Sequence, residues 1–304
     1  MSDARDIAES VRARLNNQAR STGELFQNLL LRYAQERFLY RLGCSHHRDS
    51  FILKGATLFL LWEGASHRRT KDIDFLRFGS SDEEELKRAI IEVCSQTVDA
   101  DGMAFDLDSL SISPIREFQE YDGHRIELLV NLGQAKVKLW MDVGFGDSVK
   151  PTKTNWPSIL DAPEPEINVY PRETVIAEKF HAIVKHGMAN SRMKDFFDVH
   201  YLAMNNEFLS TQITDAISAT FERRRDPLPD VLPVGLTNDF ATDETKNKQW
   251  TGFLKKNAVS QLTLQESVEV TRRFIWPLIE LVKSEEQDLL VWKPGGHWHR
   301  ESDN

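Results

Sequence analysis

A chain of 304 residues, 40% hydrophobic and 28% charged, is long enough for two modest domains and has the composition of neither a disordered nor a fibrous protein. Its 47 acidic residues outweigh 38 lysines and arginines, and the net charge of −9 argues against coating nucleic acid through an overall positive field, while leaving room for a local basic patch. Cys44 and Cys94 have no metal or redox spacing, the N-terminus has no apolar signal core, and no apolar run is long enough to span a bilayer. The expected setting is therefore a reducing cytoplasm, with no membrane attachment.

Along the chain, residues 4–43 carry a helical period and predict two helices, the second capped by Ser21 with Glu24 three residues on. The apolar run from Phe51 to Trp62 is interrupted by Lys54-Gly55, which predicts a glycine turn entering a short helix. "DIDFLRF" alternates as a strand does, and residues 82–99 predict an amphipathic helix with acidic residues in its first turn. Residues 109–146 predict a meander of three strands. Prolines 151, 157, 163 and 165 then punctuate a loop-rich crossing, which places a domain boundary there: residues 1–165, then a mainly helical 166–304. In the second part "PRETVIAEKFHAIVKHG" starts near Pro171 and stops at Gly187, "SRMKDFFDVHYLAMN" follows as a helix, 226–243 is a polar connection, and 244–287 is helical.

The chemistry centres on "RRTKDIDFL". On a strand, Asp72 and Asp74 share one face while Ile73 and Phe75 take the other, and two adjacent carboxylates call for a cation. Mg²⁺, a hard ion that takes carboxylate and phosphate oxygens, fits that need. A solvated acidic pair on an edge strand, neutralised by Arg68, Arg69 and Lys71, is the simpler account of an isolated DxD. Two further features shift the balance: "KGATLFLLW" places a glycine-led helix start upstream, and "VKLWMDVGFGD" places Asp142 in a strand where a third carboxylate would reach the same face. A glycine-led helix start, a DxD strand and a later acidic strand together describe a nucleotidyltransferase site, in which metal-held carboxylates bind a triphosphate and support in-line displacement.

Five blocks, "LKGATLFLLW", "RRTKDIDFL", "LWMDVGFGD", "VYPRETVIAEKFHAIVKHGMANSRMKDFFDVHYL" and "TNDFATDETKNKQWTGFL", resemble the AbiEii/AbiGii-type nucleotidyltransferase toxins, MenT-like members of the DNA polymerase beta-like nucleotidyltransferase superfamily. The resemblance runs over most of residues 50–280 and implies an α+β fold: a nucleotidyltransferase-like mixed sheet flanked by helices, with a helical C-terminal domain. It implies that Asp72, Asp74 and Asp142 hold metal (Mg²⁺ or Mn²⁺), that Lys179 contacts the phosphates of an NTP, and that Asp195 is an essential acid of the second half. Lys54, Gly55 and Thr57 would line the phosphate, with Ala56-Thr57 departing from the family pattern at that point, and Arg68 and Arg69 would touch phosphate or acceptor.

Other accounts remain open for some of these residues. Glu178, Lys179 and Lys185 also read as a solvated helix face, and Arg192, Asp195 and Asp198 as an intrahelical ladder of charges. His181 and His186 lack partner spacing and are expected to be structural. "GGHWHRESDN" is expected to be a frayed tail, and Arg223, Arg224 and Arg225 a cationic helix end.

The function implied is transfer of an NMP from an NTP to an acceptor hydroxyl, by the toxin of a type IV-like toxin–antitoxin or abortive-infection pair, with the tRNA 3′ end as acceptor and a cognate antitoxin as partner. A protein hydroxyl as acceptor, as in AMP-transferring enzymes, and a non-catalytic nucleotide-binding module are the competing readings.

Overall fold

The structure, a computed structural model, describes residues 2–64, 70–115, 123–146, 149–259, 262–284 and 289–300. The chain divides into two compact units, Met1–Tyr170 and Pro171–Asn304.

The first unit is built on a seven-stranded mixed sheet in the order β3-β4-β5-β2-β1-β7-β6. Its strands are β1 (Phe51–Lys54), β2 (Asp72–Arg77), β3 (Met103–Pro114), β4 (Gly123–Leu132), β5 (Ala135–Phe145), β6 (Thr152–Asn155) and β7 (Glu166–Val169). β2 pairs β5 in parallel and β1 pairs β7 in parallel, while the remaining neighbours are antiparallel. Helices α1 (Ser2–Thr22), α2 (Phe26–Cys44), α3 (Leu58–Glu63) and α4 (Glu83–Cys94) complete this unit.

One sheet face is closed by α2: Phe38 meets the rings of Phe75 and Phe105 at 6.3 Å, and Ile73, Phe75, Ile126, Leu128, Leu139 and Met141 are buried. Alternation along each strand sends the intervening residues to the other face. α2 is buried on several sides and carries charges inward, each compensated: Arg41 grips Asp101 through two hydrogen bonds at 2.5 and 3.1 Å, and Glu36 takes Arg37 at 2.6 Å and the Ile159 amide at 2.8 Å. Burial still pushes the Glu36 carboxyl above its ordinary range.

The first unit departs from expectation at four points. α1 runs through Ser21, whose hydroxyl donates to the Gln18 carbonyl; Gly23, at φ +73°, ends the run, and α2 starts after Leu25 without a side-chain cap. Glu24 instead pairs with Arg32 at 3.1 Å. The acidic helix is shorter than predicted, with Asp82 as its cap accepting from the Glu85 amide. The proline-punctuated crossing contains the two short strands β6 and β7, and β3 begins at Met103, six residues before the predicted meander.

The second unit is mainly helical: α5 (Arg172–His186), α6 (Met193–Asn205), α7 (Ser210–Arg224), α8 (Asn238–Thr242), α9 (Glu244–Asn257) and α10 (Leu264–Ser284). It also holds a small antiparallel sheet of β8 (Phe208–Leu209), β9 (Leu290–Trp292) and β10 (Trp298–Arg300), in the order β10-β9-β8. The segment expected to fray is thus anchored as far as Arg300: Trp298 stacks on Phe274 at 5.6 Å and donates its indole N–H to the Phe274 carbonyl at 2.8 Å. Two aromatic rings and a satisfied donor hold a chain end that composition alone describes as polar.

Candidate active site

The sheet places three carboxylates together. Asp72 and Asp74 leave β2 on the face opposite buried Ile73 and Phe75, and in the parallel ladder Asp74 lies opposite Asp142 of β5 while Asp72 lies opposite Trp140. Residues in register on neighbouring strands share a face at about 5 Å spacing, so all three acids converge there. The Asp72 side chain is 42% exposed and that of Asp142 20%, which leaves the cluster within reach of solvent.

Arg125 of β4 brings a cation into this cluster and is the residue that sequence reasoning missed. Its Nε donates to Asp142 Oδ1 at 2.8 Å and its Nη2 to Asp142 Oδ2 at 2.7 Å, a bidentate fork, and Nη2 lies 3.8 Å from Asp72 Oδ2. The one signal that would have found it is the β4–β5 register, which sets Arg125 opposite Asp142.

Gly55 shapes the other side. It has φ +78°, and a Cβ built on it would lie 2.0 Å from Asp74 Oδ2, so the Asp74 carboxylate rests where any other residue would put its side chain. Glycine is required both by backbone conformation and by this close approach. Lys54 is opposite Asp74 in the β1–β2 ladder, and its Nζ lies 5.2 Å from the centre of the Tyr170 ring. The Thr57 hydroxyl is buried and donates to the Asp72 carbonyl at 3.1 Å, which ties the turn to β2. The amides of Leu58, Phe59 and Leu60 already donate to the carbonyls of Gly55, Ala56 and Thr57, so the start of α3 does not present those N–H groups to an anion. Arg68 and Arg69 lie outside the described residues.

A divalent cation suits this donor set. Three carboxylates share one face, a glycine holds space for one of them, and an ion at Asp142 would share that carboxylate with Arg125 or displace it. That is the environment in which a hard ion replaces repulsion with coordination.

In the second unit, α5 and α6 build a buried ionic cluster. Lys179 Nζ lies 3.2 Å from Asp195 Oδ1 and 2.6 Å from Asp198 Oδ2, while Arg192 Nε donates to Asp195 Oδ2 at 2.7 Å. The carboxylates are 1% and 0% exposed, so this is no solvated helix face. Burial pushes the Asp195 carboxyl up, but Lys179 and then Arg192 outweigh it and hold it below the ordinary range.

His181 is structural in its contacts. It pairs with Asp226 at 2.7 Å through Nε2 and accepts from Arg224 at 2.9 Å through Nδ1, and burial keeps its pKa below the usual value. Arg224 is thereby turned inward, and Arg225 closes α7 in a left-handed conformation at φ +55°.

The carriers of this geometry fall within a wider likeness. Residues 37–270 match the family described as "Nucleotidyl transferase AbiEii toxin, Type IV TA system". No curated protein matches the sequence. Among solved structures, a candidate nucleotidyltransferase from H. pylori superposes with a TM-score of 0.46 at 15% identity, covering 83% of this chain and 94% of that one. JHP933 from Helicobacter pylori superposes with a TM-score of 0.44 at 14% identity, covering 82% and 90%. Likeness at that level carries no argument about function, whereas the family match spans well over half of the chain. The chain belongs to the AbiEii nucleotidyl transferase toxin family of type IV toxin–antitoxin systems, and it is a nucleotidyltransferase.

Proposed function

We propose that this nucleotidyltransferase moves an NMP from an NTP to the 3′ hydroxyl of tRNA in the cytoplasm, with Mg²⁺ or Mn²⁺ held by Asp72, Asp74 and Asp142. The observation that carries the reading is the convergence of those three carboxylates on one sheet face, with Gly55 leaving room for Asp74. When bound, the cation would neutralise the triphosphate and lower the barrier to pyrophosphate departure.

The residues of the chain supply the rest. Asp72 and Asp74, fixed by strand geometry, would hold the ion in a preset position, so that a phosphate bound to it is placed without reorganisation of the protein. Arg125 holds both oxygens of Asp142 in its fork and so fixes the orientation of that carboxylate. Lys54, with Arg68 and Arg69, belongs to the phosphate-binding set in this reading, whereas the Thr57 hydroxyl, buried and donating to the Asp72 carbonyl, ties the turn to β2 instead. The resemblance adds Lys179 as a phosphate contact and Asp195, which pairs with it at 3.2 Å, as an essential acid of the second half. As the toxin of its pair, the protein has a cognate antitoxin as partner.

The test is direct. Pure protein is incubated with each labelled NTP, Mg²⁺, and either total tRNA or cell protein. Label on tRNA 3′ ends supports the proposal, and label on protein moves the acceptor to a protein hydroxyl. Nucleotide binding without transfer makes the chain a binding module. Transfer that survives Asp72→Asn would remove the assigned carboxylates from the reaction.

A further inference from the structure

We propose that His46, His47 and Glu92 form a site for a divalent transition-metal ion of the zinc class, separate from the carboxylate cluster. His46 and His47 sit in the turn after α2, and Glu92 lies in the last turns of α4. Their ligand atoms all fall within 4.8 Å of one another. Both imidazoles already aim at one oxygen: His47 Nε2 is 2.7 Å and His46 Nε2 3.3 Å from Glu92 Oε2, and the two rings lie 3.9 Å apart.

These separations suit one small ion. With bonds of about 2.0–2.2 Å to nitrogen and oxygen, ligands around a tetrahedral zinc stand roughly 3.3 Å apart. The His46 separation meets that value, and the His47 contact would lengthen by about 0.6 Å as the metal replaces the shared proton. Two imidazoles and one carboxylate favour Zn²⁺, Co²⁺, Ni²⁺ or Cu²⁺ over Mg²⁺ or Ca²⁺, because imidazole is a poor ligand for the hard ions. Three protein ligands leave the remaining position to water.

The backbone is held for this purpose from several sides. The His47 amide donates to Ser45 Oγ at 3.1 Å, and the His47 carbonyl accepts from the Ser50 amide, the Ser50 hydroxyl and the Phe51 amide at 2.9, 2.8 and 3.3 Å. The His47 ring meets Phe51 edge-on at 6.5 Å, and its side chain is only 15% exposed. Glu92 is fixed from α4, which buries Leu86, Ala89, Ile90 and Val93. A ligand set carried on two packed elements is preorganised, and a bound ion would tie the end of α2 to α4.

The site is also set apart from the acidic one. In the β1–β2 ladder Phe51 lies opposite Arg77, at the end near His47, and Lys54 lies opposite Asp74, at the end near the carboxylates. Three residues of strand separate them by about 10 Å.

The experiment titrates Zn²⁺ into the tag-free full chain by calorimetry with excess Mg²⁺ present, and records the visible spectrum with Co²⁺. The expected result is one equivalent bound, a Co²⁺ spectrum showing nitrogen ligation, and a higher melting temperature with zinc. His46→Ala, whose side chain is 71% exposed and so leaves folding intact, and Glu92→Gln should each weaken binding by more than the roughly 10–100-fold that loss of an outer-shell partner costs. Asp72→Asn/Asp74→Asn should leave it unchanged, as should His297→Ala/His299→Ala, which removes the other neighbouring pair of histidines. Absence of saturable binding, or loss that follows either of the two control variants, overturns the proposal. Binding that persists in both His46→Ala and Glu92→Gln overturns it equally.

Discussion

Arg125 holds both oxygens of Asp142 in a bidentate fork at 2.8 and 2.7 Å, and it does so from the neighbouring strand, in register. A cation seeking Asp142 has to displace that fork or share the carboxylate with it. Arg125→Ala should therefore raise Mn²⁺ affinity, by roughly three- to tenfold, the range expected for removing one partly exposed charge-assisted pair. Titration of the wild type and the variant by metal-enhanced water relaxation reads this directly. An unchanged or weakened affinity would show that Arg125 is a support for Asp142 and not a competitor.

Gly55→Ala should slow transfer on the order of a hundredfold while leaving the fold in place. The new methyl would stand 2.0 Å from Asp74 Oδ2 in a backbone at φ +78°, so it is disfavoured twice. Backbone strain costs about 1–2 kcal/mol, and displacing Asp74 by about 1 Å costs on the order of a hundredfold in rate. Denaturation midpoints and single-turnover rates, measured side by side, separate the two effects.

The carboxylate strand was legible because period-2 alternation is local: Ile73 and Phe75 declare the buried face, and the aspartates follow. The third acid was legible as a strand residue for the same reason. Arg125 was not, since its partner is 17 residues away and their meeting depends on the turn at Gly133 and Gln134 that sets the β4–β5 register. β6 and β7 are four residues each among prolines, too short for any periodicity to emerge. Ser21 and Glu24 have the spacing of a capping box, yet Gly23 between them ends one helix before the next begins. The ionic cluster of Lys179, Asp195 and Asp198 spans two helices, so an intrahelical ladder was the only form that spacing within one helix suggested.

That cluster gives the next prediction. Lys179→Met leaves Asp198 buried without its 2.6 Å partner, while Asp195 keeps Arg192. Removing one side of a buried ionic pair typically costs about 3–5 kcal/mol, so the variant should unfold at clearly lower urea. Adding Asp198→Asn, which removes the buried carboxylate that has lost Lys179, should restore a large part of the loss. If the double variant is as stable as the wild type and still inactive, the contribution of Lys179 is chemical and not only structural.

The buried imidazoles contribute one part of the response to pH, opposed by the buried Glu36 carboxyl, whose raised pKa gives stability that is lost as pH rises. Burial, reinforced by Arg224, keeps the His181 pKa below 6.5 despite the opposing pull of Asp226, and burial does the same for His200. Between the lowered folded values and 6.5 the unfolded chain binds more protons than the folded one, so stability rises with pH across that window and is complete above it. As pH falls from 7 to 5, each histidine should remove up to about 1.4 kcal/mol per unit within its window. Asp195, held below its ordinary 3.8, contributes stability that is lost only at lower pH, so the two effects separate. Urea unfolding of the wild type and His181→Gln from pH 7.5 to 5 checks the sign. The variant, less stable at pH 7.5 because the Arg224 and Asp226 contacts are disturbed, should show the shallower slope, and equal slopes would place the proton uptake elsewhere.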